Sequence, residues 1–229
     1  MNPLRPLAPD IWVAERPQSF YGLPVGTRMT VIHLSGGRLL LHSPVSLDPG
    51  LRRELDAIGS VRYVVAPNRV HHLYAGEVAK VYPEARLWVA PGLERKRPDL
   101  DFVAILGDDA PEQWREEVQQ TFFRGRPFEN EITFFHRPSR TLLLCDVAFN
   151  FGPSAPTVTR LLMKLMRSYG RFGPSALDSW LIRDRKLARQ SLERILAWDF
   201  DRVVVAHGDI LETGGREALR GGYAWLLDS

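Results

Sequence analysis

Short apolar runs, each closed by polar or turn-forming residues, fill the first third of the chain. They predict strands at Ile11–Ala14, Met29–Leu34 and Arg38–His42, with Ser35-Gly36-Gly37 as a tight hairpin between the last two. Asp48 to Ile58 reads as a helix, with Asp48 as N-cap, Pro49 at the first helical position and Gly59 as the stop. A buried strand at Arg62–Ala66 follows, then a helix from about His71 to Val81 ended by Pro83, then a strand at Arg86–Ala90 halted by Pro91-Gly92.

The second half repeats the pattern. Strands are predicted at Gln119–Phe123, Glu131–Phe135 and Thr141–Cys145, the last two joined by a turn at Arg137–Arg140. Helices are predicted near Thr157–Ser168 and over Ala176–Ala197, then a strand at Arg202–Ala206 and a last helix over Arg216–Leu227. Strands and helices alternate after an all-strand opening. That order predicts an α/β fold in which hairpins and βα units are mixed, with no need for a second domain.

Composition narrows the picture only slightly. The 229 residues are 45% hydrophobic and 25% charged, enough for one sizeable core. A net charge of +3 is too weak to argue for nucleic acid by itself. The lone cysteine, Cys145, excludes an intramolecular disulfide framework and fits a reducing compartment. The opening residues lack the pattern of a secretory signal, and no apolar stretch approaches the roughly 20 residues that span a bilayer. A cytoplasmic protein is the expectation.

The candidate chemistry lies where apolar runs stop. Val64-Val65-Ala66 leads through Pro67-Asn68-Arg69-Val70 to His71 and His72; Thr141–Cys145 runs into Asp146; Arg202–Ala206 runs into His207-Gly208-Asp209. Ligand-type residues just beyond the carboxyl ends of separate strands are what a metal or catalytic site needs, because rigid strands aim the side chains and loops leave room for substrate. Imidazole with carboxylate suits zinc, iron or manganese. The competing reading is that each histidine caps or hydrogen-bonds locally.

Other residues fall beside this cluster. His42 ends its strand either as a fifth ligand or support behind the ligands, or as a plain strand-end histidine. Asp209 is placed either to orient a ligand histidine through its other ring nitrogen or to cap a turn. His136 belongs to a strand running away from the site and sits roughly 17 Å from Asp146, at about 3.3 Å per residue, so it is read as structural. His33 is read as satisfied in a sheet face, and Cys145 as a buried small hydrophobe on the strand face opposite Asp146.

Between Asn150 and Gln190 eight Lys and Arg residues face only two Asp. Leu161, Leu162, Leu165 and Met166 can share one helical face there, with Arg160, Lys164 and Arg167 on another. The segment can be a solvated helix, a lid that draws anionic substrates, a partner surface or a membrane-surface helix.

The arrangement as a whole resembles the metallo-β-lactamase fold superfamily, the αββα hydrolases. Pro67–His72 occupies the place of the H-x-H-x-D-H motif, Leu143-Leu144-Cys145-Asp146 that of L-x-x-G-D, and Ala206-His207-Gly208 that of G-H-G. More narrowly, Ala66-Pro67-Asn68-x-x-His71-His72, Pro91-Gly92-Leu93-x-x-Lys96 and Phe135–Thr141 resemble a branch catalogued as a domain of unknown function. The resemblance implies an αββα sandwich over residues 1–229: two mixed sheets face to face, with helices on both outer faces.

It also implies a single ion. Pro67 and Arg69 stand at the first two histidine positions, and Phe123–Phe128 contains no histidine, so the three-histidine site is dismantled. Counterparts of the other site survive as His71, His72, Asp146 and His207, with His72 and Asp146 the residues on which catalysis would depend. Zinc is the expected ion, with iron, manganese or no metal as alternatives. Arg69 would repel a cation at the vacated position and could grip an anionic substrate instead. The implied activity is a metal-dependent hydrolase using one metal ion on a small, anionic ester-, lactone-, thioester- or phosphoester-type substrate. The alternative is a catalytically inactive member kept as a small-molecule or partner-binding module. Nucleic acid is not an expected partner, no membrane span is expected, and a homodimer is allowed.

Overall fold

A computed structural model describes residues 3–228, apart from the side chain of Asp178. The first half contains β1 (Arg5–Ala8), β2 (Ile11–Arg16), a small hairpin of β3 (Ser19–Phe20) and β4 (Leu23–Pro24), β5 (Thr27–Leu34), β6 (Arg38–His42), α1 (Pro49–Ile58), β7 (Ser60–Ala66), α2 (Ala75–Val81), β8 (Arg86–Val89), α3 (Leu93–Lys96) and β9 (Ala104–Ile105). The second half contains β10 (Val118–Phe122), β11 (Ile132–His136), β12 (Thr141–Leu144), α4 (Thr157–Leu165), α5 (Ala176–Trp180), α6 (Arg185–Leu196), β13 (Arg202–Val205), α7 (Gly215–Gly222) and α8 (Ala224–Leu227). A seven-stranded sheet has the order β1-β2-β5-β6-β7-β8-β9, and a four-stranded sheet the order β10-β11-β12-β13.

Side-chain alternation sets the layers. On β6, Leu40 joins the cluster between the sheets while Leu39 and Leu41 turn outward to Leu51 and Leu55 of α1. On β13, Val204 faces inward while Val203 and Val205 meet Leu192 and Ile195 of α6. Trp88 and Trp114 pack edge-on, 5.1 Å between ring centres, inside the central layer. Each sheet thus buries one face against the other and one against helices. This is the αββα sandwich expected from the sequence.

Topology delivers the site. β6–β7, β7–β8 and β12–β13 pair in parallel, each crossover using helical segments. Their carboxyl ends therefore point the same way within each sheet, and Ser43, Asn68, Asp146 and His207 all follow such ends within two residues.

Several elements differ from their predicted form. The helix predicted from His71 begins only at Ala75: residues 71–74 form a turn in which the Ala75 amide donates to the His72 carbonyl at 3.1 Å, and before it the Asn68 side-chain oxygen takes the amides of Val70 and His71 (2.8 and 2.6 Å). The helix predicted over Ala176–Ala197 is two: α5 stops at Trp180, and Asp184 caps α6 by accepting the Leu187 amide at 2.9 Å. The last predicted helix is likewise split, into α7 and α8. Strands β1, β3, β4 and β9 are too short or too exposed to carry a readable apolar pattern.

Candidate metal centre

Three of the expected ligands meet at the edge of the sandwich. His71 Nε2 lies 3.1 Å from His207 Nε2 and 3.6 Å from Asp146 Oδ2, and His207 Nε2 lies 3.7 Å from Asp146 Oδ1. All three residues are buried, and among the described residues they form a group able to offer ligand atoms to one ion. Tetrahedral ligands at about 2.0–2.1 Å from zinc are separated by roughly 3.3 Å, which is the scale of these separations. Neutral imidazoles plus a carboxylate are also the right donor chemistry.

Each donor is oriented from behind. Ser43 Oγ sits 2.8 Å from His71 Nδ1, and the Gly26 carbonyl 2.7 Å from His207 Nδ1, so both histidines present Nε2 to the centre. Asn68 Nδ2 donates to Asp146 Oδ2 at 2.7 Å and to Glu131 Oε2 at 2.9 Å. Glu131 in turn accepts the backbone amides of Cys145 and Asp146, at 2.7 and 2.6 Å. Arg126 donates to the Asp146 carbonyl at 2.7 Å and to Glu129 Oε1 at 2.6 Å. The His207 loop is clamped across the sandwich: Arg28 on β5 donates to the carbonyls of Val205 and Gly208 while pairing with Glu15 at 2.9 Å. Gly208 is at φ 89°, and a Cβ there would lie 2.2 Å from the Asn150 carbonyl oxygen, so the loop admits no side chain at that point.

Burial penalises every charge here, and the neighbours decide which survive. Desolvation pushes the Asp146 carboxyl up, but His71, His207 and Arg126 together hold it well below the usual carboxylate range. Desolvation pushes the His71 imidazolium down, and Asp146 with Glu131 reverses that, raising its pKa. His207 is lowered to about 4 by burial and then by His71, which leaves it the neutral imidazole a metal needs. Glu131 is raised to about 7 by burial and by the Asp146 charge, against its backbone hydrogen bonds.

The remaining expected residues lie elsewhere. His72 is turned away: its Nδ1 lies 3.1 Å from Arg97 Nη1, and burial with Lys96 and Arg97 lowers its pKa to about 4. His72 therefore stands outside the group that His71, Asp146 and His207 form, because adjacent residues of the 71–74 turn point to different sides. His42 lies behind the cluster, edge-on to Phe134 at 4.9 Å, and burial followed by His71 lowers it to about 3. Asp209 does not orient His207, since the Gly26 carbonyl holds that nitrogen; its carboxylate takes the Ser154 hydroxyl instead. Arg69 donates to the Pro127 carbonyl at 2.8 Å and is not part of the pocket wall. His136 is buried against Ser139 Oγ at 2.7 Å, at the far end of β11.

The cluster opens into a pocket of about 540 Å³. Phe20, Leu73, Phe128, Phe151, Met163 and Leu181 represent its mostly apolar wall, and among the described residues no Lys or Arg lines it. Glu129 also lines it, with Oε2 buried and without a hydrogen-bond partner. Sequence reasoning missed Ser43, Asn68, Arg126, Glu129 and Glu131. The only signal for them was position: Ser43 and Asn68 follow strand ends, and Arg126, Glu129 and Glu131 lie in the loop between β10 and β11.

Residues 9–94 match the family described as "Domain of unknown function (DUF4336)". No curated protein matches the chain in sequence. Among solved structures it is similar to a metallo-beta-lactamase from Pontibacter korlensis (TM-score 0.66, 10% identity, 99% of both chains covered). It is also similar to the metallo-beta-lactamase FIM-1 from Pseudomonas aeruginosa in its mono-zinc form (TM-score 0.63, 11% identity, 98% of this chain and 92% of that one). A third is the metal-soaked Flv1 flavodiiron core from Synechocystis sp. PCC6803 (TM-score 0.65, 13% identity, 97% of this chain but 60% of that one). At such identities the likeness is one of architecture, and in architecture this chain has the metallo-β-lactamase fold.

Proposed function

We propose that His71, Asp146 and His207 hold one divalent metal ion and that the protein is a metal-dependent hydrolase acting on a small substrate with an apolar group. The observation that carries this reading is the convergence of three oriented donors at the floor of an apolar pocket. Bound there, a zinc-type ion would supply Lewis acidity, polarising a substrate oxygen and acidifying water.

The chain's own residues supply the rest. Ser43 and the Gly26 carbonyl hold the imidazoles in place, and Asn68 fixes the rotation of the Asp146 carboxylate. Glu129 is the residue placed to take a proton, because Oε2 is buried, unpartnered and on the pocket wall while Oε1 stays on Arg126. The apolar walls exclude water and strengthen the electrostatic interactions inside. With no cation on the wall, carboxylic esters, lactones and thioesters suit the pocket better than the anionic phosphoesters.

The 3.1 Å approach of the two Nε2 atoms also favours a second reading. A protonated His71 could bridge Asp146 and His207 with no metal at all, leaving a pocket that binds without turnover. Metal content separates the two. Protein purified without chelator should carry close to one ion per chain, lost on Asp146→Asn or His207→Ala with the circular dichroism spectrum unchanged. An ion-free protein, even after soaking in zinc, manganese and iron, would leave the binding reading; two ions per chain would contradict the single site. Given one ion, a panel of nitrophenyl esters and thioesters should be hydrolysed, with Glu129→Gln slowing turnover and retaining the ion.

A further inference from the structure

Helix α4 is apolar on two sides. Its inner side, with Leu162 and Met163 and the following Met166, forms part of the pocket wall, and Thr159 Oγ1 is anchored on the Pro24 carbonyl. Its outer side carries Val158, Leu161 and Leu165, spaced three and four residues apart on one stripe, with Leu161 70% and Leu165 80% exposed. An apolar stripe of this kind is normally covered, and among the described residues none covers this one.

The stripe continues around the pocket mouth. Phe20, Tyr21, Leu73, Phe128 and Leu177 both line the pocket and stand exposed, Tyr21 at 94%, and Trp180 projects from α5. Large apolar and aromatic side chains from four separate segments therefore ring one opening.

Charge identifies what this rim meets. Residues 150–177 contain Arg160, Lys164, Arg167 and Arg171 and no Asp or Glu. Lys164, Arg167 and Arg171, with Tyr169, line a shallow basic concavity beside α4, and none of the four cations is within ion-pair distance of a described carboxylate. A second copy seated on this face by two-fold symmetry would bring these cations towards their own duplicates. An anionic bilayer offers both complements: headgroups for the cations and acyl chains for the leucines and aromatics.

We propose that the pocket mouth docks on an anionic lipid bilayer and that the pocket behind it receives an acyl chain from that surface. A cavity of about 540 Å³ with an apolar wall and a water-facing rim suits such a chain, and the buried cluster would then sit at the carbonyl end. Only the hydrolytic fate of that chain rests on the metal reading above; docking and uptake need no ion.

The test is co-sedimentation of the full chain with phosphatidylcholine–phosphatidylglycerol vesicles and with pure phosphatidylcholine. Binding should be strong to the mixed vesicles, at least roughly tenfold weaker to phosphatidylcholine, and weakened by salt. Leu161→Glu with Leu165→Glu should abolish it, and Lys164→Gln with Arg167→Gln should weaken it by roughly tenfold or more, with unchanged thermal melts. Calorimetry with palmitate should show a saturable site that Met163→Trp closes and the two surface variants keep. His207→Ala should sediment with vesicles like the parent, so loss of the metal reading leaves docking standing. Absence of sedimentation with both vesicles, or sedimentation unaffected by the paired leucine variant, would overturn the proposal. So would a stable dimer in solution that the leucine variant dissociates, since the face would then belong to a second copy.

Discussion

Asn68 shows how far one buried amide can organise a site. Its Nδ2 bridges two carboxylates, and its Oδ1 takes two backbone amides of the loop that leads to His71. Asn68→Ala should cost about 2–4 kcal/mol in denaturant unfolding, because four groups lose a partner and three of those bonds are buried. Asn68→Asp should be worse still, since a third carboxylate would join Asp146 and Glu131. At the same scale, His71→Ala should abolish binding of one equivalent of zinc in calorimetry. His72→Ala should leave it within about twofold, a difference of less than roughly 0.5 kcal/mol. That contrast explains what the sequence could reveal. The residue types and the strand ends were readable, so His71, Asp146 and His207 could be singled out, and the structure brings these three together. The direction of two adjacent imidazoles was not, because it depends on the 71–74 turn and on Arg97, 25 positions away from His72. Ser43 and Glu131 were unreadable for a similar reason: nothing local to either residue shows that it will face a histidine or a chain of amides.

At the level of elements, readability followed length and capping. α1 was legible to the residue because Asp48, Pro49 and Gly59 mark both ends. The stretch over Ala176–Ala197 has continuous helical periodicity, yet the chain breaks it at residues 181–184 so that α5 can face the pocket while α6 packs on the second sheet. The break depends on tertiary contacts, including the Gly125 carbonyl that receives the Arg183 amide at 2.8 Å. Asp184→Ala should therefore cost about 1 kcal/mol by removing the α6 cap, measured by urea unfolding, with metal content unaffected. A fully helical 176–197 segment, visible as added far-ultraviolet ellipticity in that variant, would show that the cap and not the packing enforces the break. The two-residue strands β3, β4 and β9 lay below what periodicity can detect, although the β3–β4 hairpin supplies Phe20 and Leu23 to the pocket.

Across the whole molecule, the two sheets are tied at more than one edge. Asp108, beyond β9 of the first sheet, accepts Arg124 through both oxygens (2.9 and 2.7 Å) and the Phe122 amide of β10 in the second. Arg124 first, and then the Phe122 amide and the Thr121 hydroxyl, hold the Asp108 carboxyl well below its usual range against its desolvation. A depressed carboxyl contributes stability that is complete above the unfolded value near 3.9 and is lost as pH falls towards the folded value. The melting temperature of the parent should thus exceed that of Asp108→Asn by a constant margin above about pH 4, and the two should converge in stronger acid. A margin that grew on acidification would contradict the assignment. The αββα architecture was legible from the order of elements and motifs, whereas the apolar character of the pocket was not. Its wall is gathered from β3–β4, the 71–74 turn, α4 and α5, and Arg69, the cation expected beside the site, is spent on the Pro127 carbonyl.

His71 and His207 are 136 positions apart, and the donors between and around them come from both sheets. The ribosome adds 136 residues after His71 before the third donor exists, so no shorter nascent fragment could sequester an ion in the finished geometry. Cofactor capture would then act as an inspection step: only a molecule whose β13 has docked would pass it, and by mass action a captured ion would keep that strand from leaving.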